Sequence, residues 1–237
     1  MTIDEHLLVL LLALLLDRIA GDPEWLWSRV PHPVVLFGKA ISYFDRTYNG
    51  ETLTRPERRL NGTASIAGLL FGSAIAGLVL HWFFNLFGVI GIVLEVICVA
   101  VFLAQKSLAD HVSDVADALR SEGIAGGRRA VSRIVGRDPE TLDEPGVCRA
   151  AIESLAENFS DGVVAPALWY AVLGLPGLFI YKMLNTADSM IGHKSDRYID
   201  FGWASARLDD IANWPAARLS ILLIAAGAWL RRGAHAC

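Results

Sequence analysis

Apolar residues along the chain are concentrated in one long stretch, residues 60–105, where Glu95 carries the only formal charge. At about 1.5 Å of helix rise per residue, this stretch can cross a hydrocarbon core of about 30 Å twice. The run at 81–85, His-Trp-Phe-Phe-Asn, lies midway and predicts a tight turn at the membrane interface, where aromatic side chains collect. We therefore predict membrane helices at 63–80 and 86–104.

Two shorter apolar segments lie near the ends of the sequence. The first precedes Asp17 and Arg18 and begins with acidic residues, whereas a cleaved signal peptide begins with basic ones. It predicts an uncleaved helix at about 3–20, which crosses the membrane or is half embedded in its surface. The second, 215–230, predicts a final crossing that ends at the basic pair 231–232.

The apolar segment 163–184 is interrupted at its centre by Gly174-Leu175-Pro176-Gly177. Proline removes a backbone donor, and glycine favours a break. Each half has about ten residues and spans roughly 15 Å as a helix, which is half a membrane. The segment is therefore predicted to be either a re-entrant hairpin or one kinked crossing, and hydropathy alone does not choose between them.

Composition places the chain among membrane proteins. Hydrophobic residues make up 54% and charged residues 19%, and the mean hydropathy is +0.42. Soluble domains carry about 25% charged residues. A net charge of −4 argues against a nucleic-acid-binding surface, and the hydrophobicity excludes a disordered chain. The expected fold is all-α, a single polytopic membrane domain with four or five membrane segments and a cytoplasmic helical insertion at about 105–162.

Basic residues indicate how these segments are oriented. Seven of the 21 Lys and Arg residues lie in 18–59 and seven in 105–149, whereas the turn at 81–85 has none. The positive-inside rule therefore places 18–59 and 105–162 in the cytoplasm and the turn outside. A re-entrant hairpin would return 185–214 to the cytoplasmic side, and a single crossing would put it outside.

Three polar clusters adjoin the apolar segments. In the first, Glu153, Glu157 and Asp161 are spaced i, i+4, i+8, which places three carboxylates on one face of a helix. Like charges at this spacing are mildly destabilising, so their presence indicates a bound cation, and oxygen ligands of this kind suit Mg²⁺. The alternative is a solvated helix face that ends at Gly162.

The second cluster begins at Lys182, near the end of the interrupted segment. Asn185 and Asp188 follow on the same side of a helix, and His193 and Lys194 come shortly after them. These groups suit phosphate binding and proton transfer. The alternatives are capping of a helix end by Asn185 or Asp188, and lysines that extend to the membrane interface.

The third cluster precedes the last apolar segment. Asp209 and Asn213 are spaced i, i+4, and Arg207 and Asp210 are spaced i, i+3. The alternative is an exposed ion pair between Arg207 and Asp210 on a helix that stops at Pro215, which would contribute only tenths of a kcal/mol. The three clusters can meet only if the interrupted segment turns back.

A loop near the N-terminus contains His32 between two prolines, which hold its backbone extended. Nearby, Asp17-Arg18 and Gly21-Asp22-Pro23 form further rigid turns. His32 is either a packing residue of this loop or a substrate ligand.

Five stretches together carry a family resemblance. They are Asp17-Arg18 with Gly21-Asp22-Pro23, Pro31-His32-Pro33, 153–162, 185–194 and 207–215. Through them the sequence resembles, from about residue 7 to 230, the cobalamin-biosynthesis membrane proteins known as adenosylcobinamide-phosphate synthases. The resemblance implies a multi-pass protein of the inner membrane with its polar motifs facing the cytoplasm. Members of the family continue beyond the end of this sequence, so we expect the C-terminal part of the family to be missing here.

The resemblance also implies an amide synthase that joins aminopropanol or its phosphate to adenosylcobyric acid, a corrinoid, with ATP and Mg²⁺ activating the carboxylate. The sequence has no P-loop of the Walker type, so nucleotide binding would use another architecture. On this hypothesis the metal ligands are Glu153, Glu157, Asp161 and Asp188, and the catalytic residues are Glu153, Glu157, Asp188, Asp209 and Asp210. Substrate and phosphate groups would be bound by His32, Asn158, Lys182, Asn185, His193, Lys194, Arg207 and Asn213.

Two other functions stay open at this point. Asn/Asp clusters facing a membrane cavity also suit an Mg²⁺-dependent transferase that acts on a lipid diphosphate. The wider superfamily includes an inner-membrane regulator, which leaves a non-enzymatic regulatory or scaffold role. The expected partners are the lipid bilayer and the two substrates, together with a homo-oligomer or a complex with other membrane enzymes of the cobalamin pathway. No nucleic acid is expected.

Overall fold

The computed structural model describes residues 3–133, 135 and 140–230, apart from the side chain of Glu24. All regular structure in these residues is helical. The helices are α1 (Ile3–Ala20), α2 (Glu24–Trp27), α3 (Pro33–Tyr48), α4 (Arg55–Asn85), α5 (Val89–Val101), α6 (Gln105–Val131), α7 (Glu144–Phe159), α8 (Ala165–Ile191) and α9 (Trp203–Leu230), with a π-helical turn at Ser160–Val164 between α7 and α8. The basic pair 231–232, predicted to end the last segment, lies outside the described residues.

Four helical stretches are long and apolar enough to cross a membrane: Arg55–Asn85, Val89–Val131, Glu144–Ile191 and Trp203–Leu230. Their outward surfaces carry large exposed apolar side chains such as Phe71. An extensive surface of this kind is suited to lipid rather than to water. The predicted fold class, an all-α polytopic membrane protein, is confirmed.

Helix α4 is longer at both ends than the predicted segment 63–80. It begins after Thr54, because Thr54 and Glu57 form a capping box in which the Thr54 N–H donates to the Glu57 carboxylate at 2.8 Å. The run 81–85 belongs to the last turns of this helix, so the tight turn predicted there is wrong. The chain reverses only after it, at Gly88 with φ +55°, because glycine tolerates positive φ.

Helix α9 continues through Pro215, so the alternative of a helix that stops at this residue is wrong. Proline removes one helical N–H donor and disturbs the hydrogen bonds of the preceding turn. The Nε1–H of Trp169 on α8 donates to the carbonyl of Ala212 in that turn at 3.2 Å. A neighbouring helix therefore supplies a donor beside the break, as is common within membranes.

Helix α8 reverses direction at Gly174, whose φ and ψ of 66° and −153° are essentially restricted to glycine. An added Cβ on Gly177 would lie 2.3 Å from the carbonyl oxygen of Trp169. In a straight helix, residues eight apart are separated by about 12 Å. Of the two alternatives for 163–184, the structure therefore adopts the hairpin rather than the kinked crossing.

The tip of this hairpin is buried against α1 and α4. A Cβ added to Gly77 of α4 would lie 2.6 Å from the Cα of Pro176, so the two backbones are in contact. On the other side, a Cβ on Gly174 would lie 3.1 Å from Nε2 of His6 in α1. Leu175 is 0% exposed. Protein thus covers the broken backbone, which is the condition for an irregular turn at membrane depth.

Helix α6 is a second helical hairpin, with its break at Gly123 (φ 66°, ψ −158°). A Cβ on Gly126 would lie 2.8 Å from the carbonyl oxygen of Ala118, which again is eight residues earlier. Together with α7 this hairpin forms a separate small core. Within 105–162, the described residues are mostly helical, in α6 and α7, as predicted. The buried residues of its core are Val115, Val131, Val147, Ala150 and Ala151.

The loop between α8 and α9 is tied to α3 by a buried polar network. Asp45 accepts hydrogen bonds from Arg197 at 2.9 Å and from the Asn49 amide at 2.9 Å. The same amide lies 3.2 Å from the carbonyl of Arg197. The hydrogen bond with Asp45 raises the pKa of Arg197. This network fixes the chain as it enters α9.

Candidate functional site

The α8 hairpin brings the first two polar clusters together. The hydroxyl oxygen of Tyr181 lies 3.2 Å from the carbonyl oxygen of Asp161, although the two residues are 20 apart in sequence. In an unbroken helix they would be separated by about 30 Å. The side chains of Lys182 and Asn185 also face the Asp161 carboxylate. The reversal at Gly174 is therefore what makes a common site possible.

Helix α9 adds the third cluster to this site. The Tyr181 hydroxyl donates to Oδ1 of Asn213 at 2.8 Å, and Nδ2 of Asn213 donates to Oδ2 of Asp209 at 2.8 Å. Asn185 faces Asp209 as well as Asp161. Asp209 is only 8% exposed, and its Oδ1 is buried without a hydrogen-bond partner. One carboxylate oxygen is thus available for a ligand.

The site concentrates negative charge. Asp161, Asp188 and Asp209 lie close enough for each to interact electrostatically with the other two. The positive charge of Lys182 interacts with Asp161, and it also interacts with Asp22 of the N-terminal loop. Repulsion among three partly buried carboxylates is unfavourable, so a cation or a proton bound among them would stabilise the arrangement.

The oxygen atoms of this site suit Mg²⁺ only if water and substrate complete the coordination shell of the ion. In the described part of the chain, no group of three or more His, Cys, Asp or Glu side chains is placed to hold a metal ion by itself. Mg²⁺ commonly takes one or two carboxylates and completes its shell with water and substrate phosphates. The unpartnered Oδ1 of Asp209 and the nearby carboxylates of Asp161 and Asp188 can provide such ligands.

Two members of the first predicted cluster, Glu157 and Asp161, lie close enough to interact electrostatically. Glu157 is exposed and lies beside Asp161 at the edge of the site. Glu153 is exposed one turn earlier on α7. Asp161 itself belongs to the π-helical turn.

A cavity of about 250 Å³ lies beside Asp188 and contains three of the predicted residues. Lys194, Arg207 and Asp210 line it, and Asp210 is close enough to interact with Asp188. His193 also faces Asp188. Arg207 and Asp210 do not form the ion pair considered as an alternative, as judged from the described residues. Tyr198 and Trp203 add aromatic walls to this cavity.

Two predicted substrate ligands make contacts outside the acidic group, although Nε2 of His32 lies 3.9 Å from Oδ1 of Asp22. His32 caps α3, with its Nδ1 accepting from the Val34 N–H at 3.2 Å and its Nε2 3.1 Å from the carbonyl of Val101. Its ring nitrogens are thus used for packing of the loop. The Asn158 amide donates to the carbonyl of Ser154 at 2.9 Å, and Asn158 lines a separate cavity between α6 and the π-helical turn.

Sequence reasoning missed the role of Tyr181, which is next to the predicted Lys182 but carries no distinguishing pattern. It also missed a buried network at Glu95, for which there was a signal: an isolated charge within an apolar segment is usually functional or paired. Oε1 of Glu95 accepts from the Tyr170 hydroxyl at 2.7 Å. Oε2 lies 3.1 Å from Nδ1 of His81.

The His81 ring is held on both sides in this network. Nδ2 of Asn85 lies 3.0 Å from Nε2 of His81 and donates to the His81 carbonyl at 3.0 Å. The ring of His6 lies against those of His81 and Tyr170, with centroids 6.3 and 5.6 Å away. Four helices thus meet at one buried carboxylate.

The fold and the site define a polytopic helical membrane protein in which a covered hairpin assembles an acidic, amide-rich site at the ends of its apolar helices. The chain belongs to the family described as CobD/Cbib protein, whose pattern matches residues 10–236. This confirms the resemblance on which the sequence prediction relied.

Individual relatives carry the same description. The chain is 68% identical over 232 residues to the "Cobalamin biosynthesis protein CobD" of Rhizobium meliloti (strain 1021), covering 98% of this chain and 71% of the relative. Proteins of the same name from Brucella suis biovar 1 (strain 1330) and Rhodobacter capsulatus are 58% and 43% identical, covering 97% and 92% of this chain and 70% and 68% of the relatives. No solved structure matches the chain.

Proposed function

We propose that this protein forms an amide bond in cobalamin biosynthesis, joining aminopropanol or its phosphate to the free carboxyl group of adenosylcobyric acid. Membership of the CobD/Cbib family and the names of the relatives support the pathway. We assign the reaction to the acidic site because Asp161, Asp188 and Asp209 converge there. Lys182 and Asn185 lie beside them.

The chemistry requires activation of the acid, because a carboxylate and an amine at neutral pH form a salt rather than an amide. In the proposed reaction the γ-phosphoryl group of ATP is transferred to a carboxylate oxygen, which gives an acyl phosphate and ADP. The amine nitrogen then attacks the acyl carbon, and inorganic phosphate leaves as the amine proton passes to a carboxylate. Phosphoryl transfer depends mainly on positioning and charge neutralisation.

The residues of the site suit these tasks. Mg²⁺ held by one or two of the carboxylates of Asp161, Asp188 and Asp209, together with water, would neutralise charge on the phosphate oxygens. Lys182 would bind phosphate oxygens from the opposite side, and Asn185 would orient the substrate between the two arms of the hairpin. The Tyr181 and Asn213 hydrogen bonds hold Asp209 in place.

The 250 Å³ cavity provides a place for the amino alcohol phosphate beside this centre. Lys194 and Arg207 would bind its phosphate group, and Asp210 would bind the ammonium group and accept its proton. The cavity therefore offers a charge of opposite sign to each charged group of a small zwitterionic substrate.

Asp188→Asn and Asp209→Asn will each lower turnover by about 100-fold or more, because each removes a negative charge on which the site depends. The measurement is formation of the amide product in detergent from adenosylcobyric acid, aminopropanol phosphate, ATP and Mg²⁺. The Mg²⁺ concentration that gives half the maximal rate will rise in both variants, because fewer carboxylate oxygens remain to hold the ion.

Asp117→Asn serves as the matched control. Asp117 pairs with Arg120 at 3.0 Å on the exposed surface of α6, outside the site, so this variant will turn over normally. If the two site variants fold and turn over like the unmodified protein, the acidic site is not the reaction site. Product formation without release of ADP would exclude the acyl-phosphate step while leaving the site assignment standing.

We further propose that the site faces the cytoplasm of a bacterial inner membrane. The basic residues of 18–59 and 105–149 support this orientation through the positive-inside rule. The hairpin supports it too, because it places the residues after α8 on the same side as the π-helical turn before it.

A cysteine at position 195 tests this orientation. The native cysteines at 98, 148 and 237 are first replaced by serine. Ser195 is exposed in the loop after α8, so Ser195→Cys in this background will react with a membrane-impermeant maleimide only after the cells are opened. Asn85 is exposed at the C-terminal end of α4, on the side proposed to face outward, so Asn85→Cys will react in intact cells. Labelling of position 195 in intact cells would contradict the proposed orientation.

A further inference from the structure

We propose that a groove on α3 binds the headgroup of an anionic phospholipid. The groove has a volume of about 480 Å³ and lies between α3 and the end of α8. It is separate from the acidic site and from the cavity that holds Arg207. Its principal lining residues are Gly38, Lys39, Ser42, Tyr43, Arg46 and Met190.

The groove follows from the spacing of residues along an amphipathic helix. Lys39, Ser42 and Arg46 are spaced i, i+3, i+7 and therefore share one face of α3. The opposite face is held in the core by Ile41, which is 0% exposed. Gly38 leaves the floor of the groove open, since a Cβ there would lie 3.4 Å from Sδ of Met190.

The charge of the groove selects a phosphate anion. Neither Lys39 nor Arg46 has a carboxylate partner among the residues that the structure describes, and both side chains are exposed. They stand two helical turns apart, or about 10 Å, with the hydroxyl group of Ser42 on the same face between them, and Tyr43 also lines the groove. Two cations flanking hydroxyl donors suit the phosphate oxygens of a lipid headgroup or of a soluble phosphate ester.

The surroundings of the groove favour the lipid. Val35, Leu36 and Tyr43 are 45%, 54% and 63% exposed along the same helix. Trp25, in the short helix before it, is 65% exposed. Aromatic and aliphatic side chains beside basic ones are typical of helices that lie in a membrane interface, where the apolar groups contact acyl chains. A soluble ligand would not require this apolar rim.

The test compares lipid retention by the whole chain in nanodiscs of phosphatidylcholine with or without phosphatidylglycerol. Wild-type protein will retain phosphatidylglycerol through detergent exchange, as measured by mass spectrometry, and will melt at a higher temperature when this lipid is present. The double variant Lys39→Gln/Arg46→Gln will bind phosphatidylglycerol about tenfold more weakly, because each lost charge weakens attraction to an anionic headgroup.

A matched control removes the same charge elsewhere. Arg120→Gln/Arg149→Gln alters two exposed basic residues of α6 and α7 and will retain the lipid like the wild type. Equal loss in both double variants would overturn the proposal, since surface charge in general would then explain binding. Unchanged retention by Lys39→Gln/Arg46→Gln would overturn it too.

A third variant and a soluble phosphate ester complete the test. Ser42→Glu places a negative charge between the two cations and will also release phosphatidylglycerol, while the protein remains folded in phosphatidylcholine. Retention of the anionic lipid by this variant would contradict the proposed position of the headgroup. If the wild type binds glycerol 3-phosphate as tightly as it binds phosphatidylglycerol, the acyl chains contribute nothing and the lipid assignment is wrong.

Discussion

Gly174→Ala will destabilise the protein by about 1–3 kcal/mol and abolish most of the proposed amide synthesis. The backbone of Gly174 has φ 66° and ψ −153°, which alanine adopts only with strain, and the added Cβ would lie 3.1 Å from Nε2 of His6. Relief of this strain would straighten or unfold the hairpin and separate Asp161 from Asn185. The measurements are the melting temperature in detergent and the rate of product formation.

Two glycine variants provide the comparison. Gly72→Ala on α4 makes the same chemical change at a helical position with nothing within 4 Å, so it will be neutral or slightly stabilising. Gly177→Ala will resemble Gly174→Ala, since its Cβ would lie 2.3 Å from the carbonyl oxygen of Trp169. If Gly174→Ala has the same melting temperature and the same turnover as Gly72→Ala, the backbone geometry at Gly174 is not required for stability or activity.

Glu95→Ala will lower the free energy of unfolding by about 1–3 kcal/mol, because it leaves the buried Tyr170 hydroxyl and the partly buried His81 ring without this hydrogen-bond partner. The Tyr170 hydroxyl donates to this carboxylate at 2.7 Å, and His81 contacts it at 3.1 Å. Glu95→Gln keeps the shape and one acceptor oxygen, so it will cost less than Glu95→Ala. Denaturant unfolding in mixed micelles measures both.

A double-mutant cycle separates this network from simple loss of packing. Tyr170→Phe removes only the hydroxyl, and its effect in a Glu95→Ala background will be smaller than in the unmodified protein, because the shared hydrogen bond is already gone. Ile97→Ala, at an exposed lipid-facing position on the same helix, will be nearly neutral. Strictly additive effects of the Glu95 and Tyr170 variants would show that the two side chains do not act together.

Much of the fold could be predicted from the sequence because membrane helices are specified by length and hydropathy. The helix ends depended on other signals. The capping box at Thr54 lengthened α4, and α9 continues through Pro215, close to the point where the Trp169 indole of a neighbouring helix donates to the carbonyl of Ala212. Hydropathy gives the length of an apolar segment but not the direction of the chain within it, so it could not choose between a hairpin and a crossing. The torsion angles of Gly174 decide that question.

The site was predictable in its parts but not in its geometry. The spacing of Asn185 and Asp188, and of Asp209 and Asn213, placed each pair on a helix face, and helix packing then joined the pairs. The spacing of the first cluster assumed an α-helix through Asp161, whereas the chain is π-helical there. A local change of helix type is set by packing around it, which a periodic pattern does not contain.

The covered tip of the α8 hairpin has a consequence for how the protein is made. A hairpin with exposed backbone groups is unstable in lipid, so it can insert only where a protein surface already exists. The residues that receive it, Gly77 and Glu95, belong to α4 and α5, which the ribosome completes before α8 emerges. Synthesis from the N-terminus therefore presents the receiving surface before the hairpin that requires it, and α9 then closes the assembly from the other side.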